Sequence, residues 1–123
     1  GADGTAIGTG NQNTIDIMNG CGTPGIAARI CGDLVLNGYS DWYLPSIDEL
    51  NFLWENLADS DGNNINSGPS DPGNLGGFQN FFYWSSTETV GLGVGAQNFD
   101  NGIQFSTPQG DGDQFAVRAV RAF

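Results

Sequence analysis

The sequence predicts an α+β fold: two or three helices packed on a small twisted antiparallel sheet with long loops. Three observations lead there. Helical signals occupy the first half of the chain and strand signals the second, the order of an α+β domain. Gly takes 20 of 123 positions and Asn 13, so turns and loops are abundant. Apolar residues still make up 38%, with three Trp and eight Phe, which supplies a core and argues against disorder.

The elements follow in order. Residues 1–12 are Gly-, Ala- and Asn-rich and read as irregular. Thr14 is placed to cap a short helix reaching about Met18. Thr23 followed by Pro24 is an N-cap and first helical residue. Ile26, Ala27, Ile30, Cys31 and Leu34 repeat at helical spacing, so a second helix is expected over 24–36, stopped by Asn37-Gly38. Ser46-Ile47-Asp48-Glu49 is a capping box, and Leu50, Leu53, Trp54 and Leu57 form one apolar stripe behind it. A third helix over 47–58 follows. Residues 59–80 hold Gly, Pro, Asn, Asp or Ser at 18 of 22 positions, a long stretch with no element, which in a compact domain is functional or mobile. Phe81 to Ser85 reads as a buried strand. Asn98 to Phe105 reads as a hairpin on a two-residue Asn101-Gly102 turn. Gln114 to Phe123, with small and apolar residues on both faces, reads as a central strand.

Composition excludes several functions. Lys and His are absent, and three Arg face eleven Asp and three Glu, for a net charge of −11. Phosphate contacts need a basic surface, so nucleic acid is not the partner; neither is an anionic lipid surface. No apolar run is long enough for membrane insertion. Without His, Ser-His-Asp and Cys-His catalysis are ruled out and a closed four-ligand zinc site is not expected. No acidic pair is singled out by spacing, so no catalytic residue is assigned and the chain is expected not to be an enzyme.

Asp59, Asp61 and Asn63 stand at positions 1, 3 and 5 of a loop, the alternation that points oxygens at one calcium ion. The pattern then departs, with Asn64 at position 6 and Ser70 at position 12; the other reading is an acidic solvated turn. Asp111-Gly112-Asp113 is a weaker candidate of the same kind. No cofactor is required. Arg118 and Arg121 are expected to pair with carboxylates or loop carbonyls. Trp42, Trp54 and Trp84 are expected in the core rather than on a ligand.

Four segments in order carry a resemblance: Gly38-Tyr39-Ser40-Asp41-Trp42-Tyr43-Leu44-Pro45-Ser46, Asp48-Glu49-Leu50, Tyr83-Trp84-Ser85-Ser86-Thr87-Glu88, and Val117-Arg118-Ala119-Val120-Arg121-Ala122-Phe123. Together they resemble the collagen-like adhesin C-terminal (Lcl_C) family of bacterial surface proteins, and upstream Thr5 to Gly10 and Asn13-Thr14 extend the likeness. The resemblance implies a single C-type-lectin-like domain over 1–123 that begins after the family's usual first strand. The calcium- and sugar-binding tripeptides of sugar-binding lectins, Glu-Pro-Asn or Gln-Pro-Asp and Trp-Asn-Asp, do not occur; Trp84-Ser85-Ser86 stands where the last is expected. The fold also hosts formylglycine-generating enzymes, which need late cysteines, and none follows Cys31.

The resemblance therefore implies a non-enzymatic extracellular or cell-surface recognition and adhesion module for a protein or glycan ligand. Its contacts are expected on the late loops, at Glu88, Gln97, Asn98, Asp100, Asn101, Gln104, Asp111 and Asp113. Surface location permits a Cys21–Cys31 disulfide; the alternative is two small buried hydrophobes. The second function expected is a structural subunit of a surface filament or other homo-oligomer, built by strand addition, with residues 1–10, a neighbouring copy or a separate fragment filling the edge beside 114–123.

Overall fold

A computed structural model describes residues 1–21, 26–89, 93–108 and 115–122. Among them the fold is α+β. Helices α1 (Gly10–Gly20), α2 (Ala27–Gly32) and α3 (Ile47–Leu53, continued by a π turn over Trp54–Ala58) precede strands β1 (Phe82–Thr89), β2 (Gly93–Asn98) and β3 (Gln104–Pro108). The strands form one antiparallel meander in the order β1-β2-β3.

The capping box forms as its residues dictate. Ser46 Oγ accepts from the Glu49 amide at 3.3 Å, and the Glu49 carboxylate accepts from the Ser46 amide at 2.8 Å. Glu49 is also buried and does more than cap. It accepts from the amides of Gly10 (3.0 Å) and Gly8 (3.3 Å) and from the Tyr43 hydroxyl (3.2 Å). Burial, and then the neighbouring Glu49 charge, push the Tyr43 phenol up to about 12. One carboxylate thus ties the start of α1 to the start of α3. A side chain at Gly10 would collide with that carboxylate and with Leu44 O, so glycine permits the approach.

Several expected boundaries move. Helix α1 begins four residues before Thr14, whose hydroxyl instead donates to Gly10 O (2.8 Å) and accepts from the Leu44 amide (3.0 Å). The second helix is shorter than 24–36; Thr23 and Pro24 lie outside the described residues. Asn37-Gly38 does not merely stop it. Both residues have positive φ (56° and 81°), and Leu36 and Tyr39 exchange two 3.0 Å backbone bonds across them, a primed hairpin turn.

Conversely, Asn101-Gly102 is not a two-residue hairpin turn. Only Gly102 has positive φ, and five residues join β2 to β3. The reason is Phe99, which dives into the core at that point and is fully buried. Gly102 then closes a wider turn on Asn98 O at 2.7 Å.

The core is aromatic. Leu50, Trp54 and Ala58 meet Phe78, Tyr83 and Phe99. Phe99 sits 4.7 Å from Tyr83, 4.8 Å from Phe78 and 5.5 Å, edge-on, from Trp54, centroid to centroid. A smaller cluster joins Ala28, Cys31 and Leu44 with Ile17, Met18, Val117 and Ala119. Only Trp54 of the three Trp is core: Trp42 and Trp84 are half-buried.

The stretch 59–80 is irregular but tightly braced. Buried Asn74 donates to Gly68 O and Phe78 O and accepts from the Phe78 amide. Buried Asn66 donates to Phe99 O and accepts from Gly68 and Asn74. Two asparagines therefore replace the backbone ladder that the stretch lacks.

Residues 115–122 form no regular strand, against the expectation for 114–123. Ala116 bridges Tyr83 in parallel and Val120 bridges Tyr43 antiparallel. The outer edge of β1 is nevertheless occupied by the chain itself: Trp84 N donates to Ala116 O (3.0 Å), Ser86 N to Pro45 O (2.8 Å) and Glu88 N to Ala2 O (2.6 Å). A bulge between Trp84 and Glu88 makes this three-way docking feasible, and Ser85 Oγ satisfies it by bonding Gly95 O at 2.7 Å and the Thr87 amide at 3.2 Å. The N-terminal residues of the same chain thus dock on β1; among the described residues no backbone hydrogen bond joins 1–10 to 115–122, the edge they were expected to fill.

Candidate functional site

The sheet has two unlike faces. One lies on α3 and the core, where Tyr83 is buried and Gln97 and Gln104 point at the helix. The other presents rings. Phe82 and Trp84 on β1 alternate outward with Phe105 on β3, and Phe115 lies over them. Centroid separations are 4.9 Å for Phe82–Phe115, 5.3 Å for Phe82–Phe105, 4.6 Å for Trp84–Phe115 and 6.0 Å for Phe105–Phe115.

At the end of this face is an open groove of about 510 Å³, lined by Asn80, Phe81, Phe82, Asn98, Asp100 and Phe115. Phe81 is 55% exposed and Phe82 41%, so the strand expected to be buried opens with two of its rings in water. Phe82 and Asn98 are direct cross-strand partners, which places amide beside ring. Asp100 is held in the β2–β3 connection: its amide donates to Asn98 Oδ1 (2.9 Å) and its carbonyl accepts from Asn66 (3.0 Å). Among the described residues, the Asp100 carboxylate, the Asn98 Nδ2 group and the Asn80 side chain make no hydrogen bond. The groove combines apolar walls with unspent donors and acceptors, the composition of a small-ligand site.

Of the six described residues among the eight expected to contact ligand, Asn98 and Asp100 line the groove. Gln97 is fully buried, contrary to its expected exposure. Its Nε2 donates to Asn51 Oδ1 and Gly102 O, both at 2.9 Å, and it braces the hairpin on α3. Gln104 is exposed but bonds Ile47 O at 3.0 Å on that same opposite face. Asn101 spends its side-chain oxygen on the Ile103 amide. Glu88 is half-buried beside Ala2, six residues or about 20 Å along the strand from the groove. Asp111 and Asp113 lie outside the described residues. Phe81, Phe82 and Phe115 were missed because aromatic runs read as core; the signal was the unbroken Phe81-Phe82-Tyr83-Trp84 run, which cannot bury both faces under one layer of helices.

The 59–63 loop uses its oxygens internally. Asp59 Oδ1 accepts from the Asn64 amide (3.0 Å), Asp61 Oδ1 from Asn63 (3.4 Å) and Asn63 Oδ1 from Ile65 (2.9 Å). Among the described residues no three acidic or thiol side chains cluster as a metal site would require. Cys21 and Cys31 are not joined by a disulfide in the structure; burial pushes the Cys31 thiol up to about 12.

The arginines are committed elsewhere. Arg121 makes a bidentate pair with Asp41 (2.6 and 3.1 Å) and stacks 3.5 Å over Tyr39. Arg118 bonds Gly76 O at 3.0 Å over the Phe78 ring, and Arg29 bonds Met18 O and Cys21 O. No helix is long and apolar enough to cross a membrane among the described residues.

Comparisons of the chain with family models, with curated proteins and with solved structures return no match.

Proposed function

We propose that the chain is a non-enzymatic, extracellular glycan-recognition module of C-type-lectin-like type, with the aromatic groove as its contact site. The observation that carries this reading is the pair of exposed rings, Phe81 and Phe82, beside the half-buried Phe115, with the Asp100 carboxylate, Asn98 Nδ2 and the Asn80 side chain unspent around them. A pyranose has one apolar C–H face and a rim of hydroxyls, and it matches both. Rings stack on the C–H face because their faces carry partial negative charge. The surface location rests on the resemblance of the Asp41-to-Ser46 and Tyr83-to-Glu88 segments.

The test is an array of neutral, amino and acidic oligosaccharides probed with the purified chain and with Phe81→Ser. Phe81 is exposed, and substitutions at exposed positions usually cost little stability. Saccharide binding that weakens at least tenfold in Phe81→Ser is expected. No saccharide bound, or binding indifferent to Phe81→Ser, overturns the reading.

A further inference from the structure

The charge around the groove narrows what can enter it. Among the described residues that line it, Asp100 is the one ionised side chain, and its carboxylate has no hydrogen-bond partner among the described residues. The three arginines are each engaged in other contacts, Lys and His are absent, and the whole chain carries −11. The potential over the groove is therefore negative, and low-dielectric walls of phenylalanine focus it. Uronic, sialylated or sulfated saccharides are repelled there. A cation gains twice: from the carboxylate, and from ring faces within reach of an ammonium group.

We propose that the groove selects a saccharide bearing a free amine, a deacetylated hexosamine, whose sugar face lies on Phe81, Phe82 and Phe115 and whose ammonium group meets the Asp100 carboxylate. This rests on the glycan reading above and names its ligand class. Asn98 Nδ2 then donates to a ring hydroxyl, and the Asn80 amide takes a second. The N-acetylated sugar keeps the apolar face but loses the charge, so the amine is the discriminating group.

The experiment compares four probes by calorimetry: the β-1,4-linked glucosamine hexamer, its fully N-acetylated counterpart, the matching glucose hexamer and hexalysine. Each is run on the native chain, on Asp100→Asn and on Asp3→Asn, an exposed acid beside Ala2 and Gly4 at the far end of β1. The glucosamine hexamer is expected to bind at least tenfold tighter than the N-acetylated hexamer. That preference disappears in Asp100→Asn and persists in Asp3→Asn, which separates the groove from general attraction to an acidic chain. Equal affinity for all three saccharides, unchanged in Asp100→Asn, overturns the amine preference and leaves glycan binding standing. Binding of no saccharide overturns both. Hexalysine bound as tightly as the amino hexamer, and through Asp100, overturns the sugar assignment.

Discussion

Gln97 shows how far one side chain can depart from its composition-based reading. A polar residue between Asn98 and Ala96 in a late strand reads as a surface contact, yet it is fully buried. What decides it is strand parity: Gln97 pairs with Tyr83 and Gln104 on the face covered by α3. Its amide meets Asn51 Oδ1 and Gly102 O, and removing it leaves both acceptors without that donor. Gln97→Ala should therefore cost about 1–3 kcal/mol, read as a lowered urea midpoint at unchanged slope, with groove binding retained if the domain remains folded. A variant as stable as the native chain would return Gln97 to the surface. Glu49 was legible as a capping residue because Ser46 stands three before it. Its bonds to Gly8 and Gly10 were not, since they join residues about forty positions apart.

Among the elements, local signals were legible where they are self-contained. The capping box and the apolar stripe placed the bounds of a helix over 47–58, because both partners of the box lie within one turn, though not its change to a π turn at Trp54. The Asn-Gly signature was right about hairpins and wrong about which: Asn37-Gly38 makes the primed turn, while Phe99 drags Asn101-Gly102 into a wider one. The 59–80 stretch looked unstructured since its order depends on side chains bonding distant backbone. Asn66 and Asn74 hold it, and they bond each other at 3.1 Å. Asn66→Ala and Asn74→Ala should each cost about 1–3 kcal/mol. In a double-mutant cycle the pair should couple by about 0.5–3 kcal/mol. Strict additivity would mean that the two act as separate pegs. The final segment failed as a strand because Ala116 and Val120 pair with different partners, Tyr83 and Tyr43, a division invisible in its alternation.

At the scale of the whole molecule, charge sets how stability depends on pH. The Arg121 hydrogen bond holds the Asp41 carboxyl below its ordinary value, and the amides of Ser67 and Gly73 do the same for Asp71. A carboxyl whose folded value is depressed gives its stability above the unfolded value, near 4, and loses it as pH falls through the folded one. Mild acid acts the other way, relieving the self-repulsion of −11. Stability should thus peak on the acid side of neutrality and fall below about pH 4. Urea midpoints at pH 7, 5 and 3 check this, and a rise continuing to pH 3 contradicts it. The α+β class was legible in the order of signals along the chain. The groove was not, because it gathers Asn80, Phe81 and Phe82 with Asn98, Asp100 and Phe115 from three separate places. The recognition role proposed for it is tested most directly by nuclear magnetic resonance on the isotope-labelled chain, titrated with the glucosamine and glucose hexamers. The amide signals of Phe81, Phe82, Asn98, Asp100 and Phe115 should shift together and saturate, while those of Glu88 and Ala2 stay still. Shifts confined to the Glu88 end of the sheet, or none anywhere, would contradict the site.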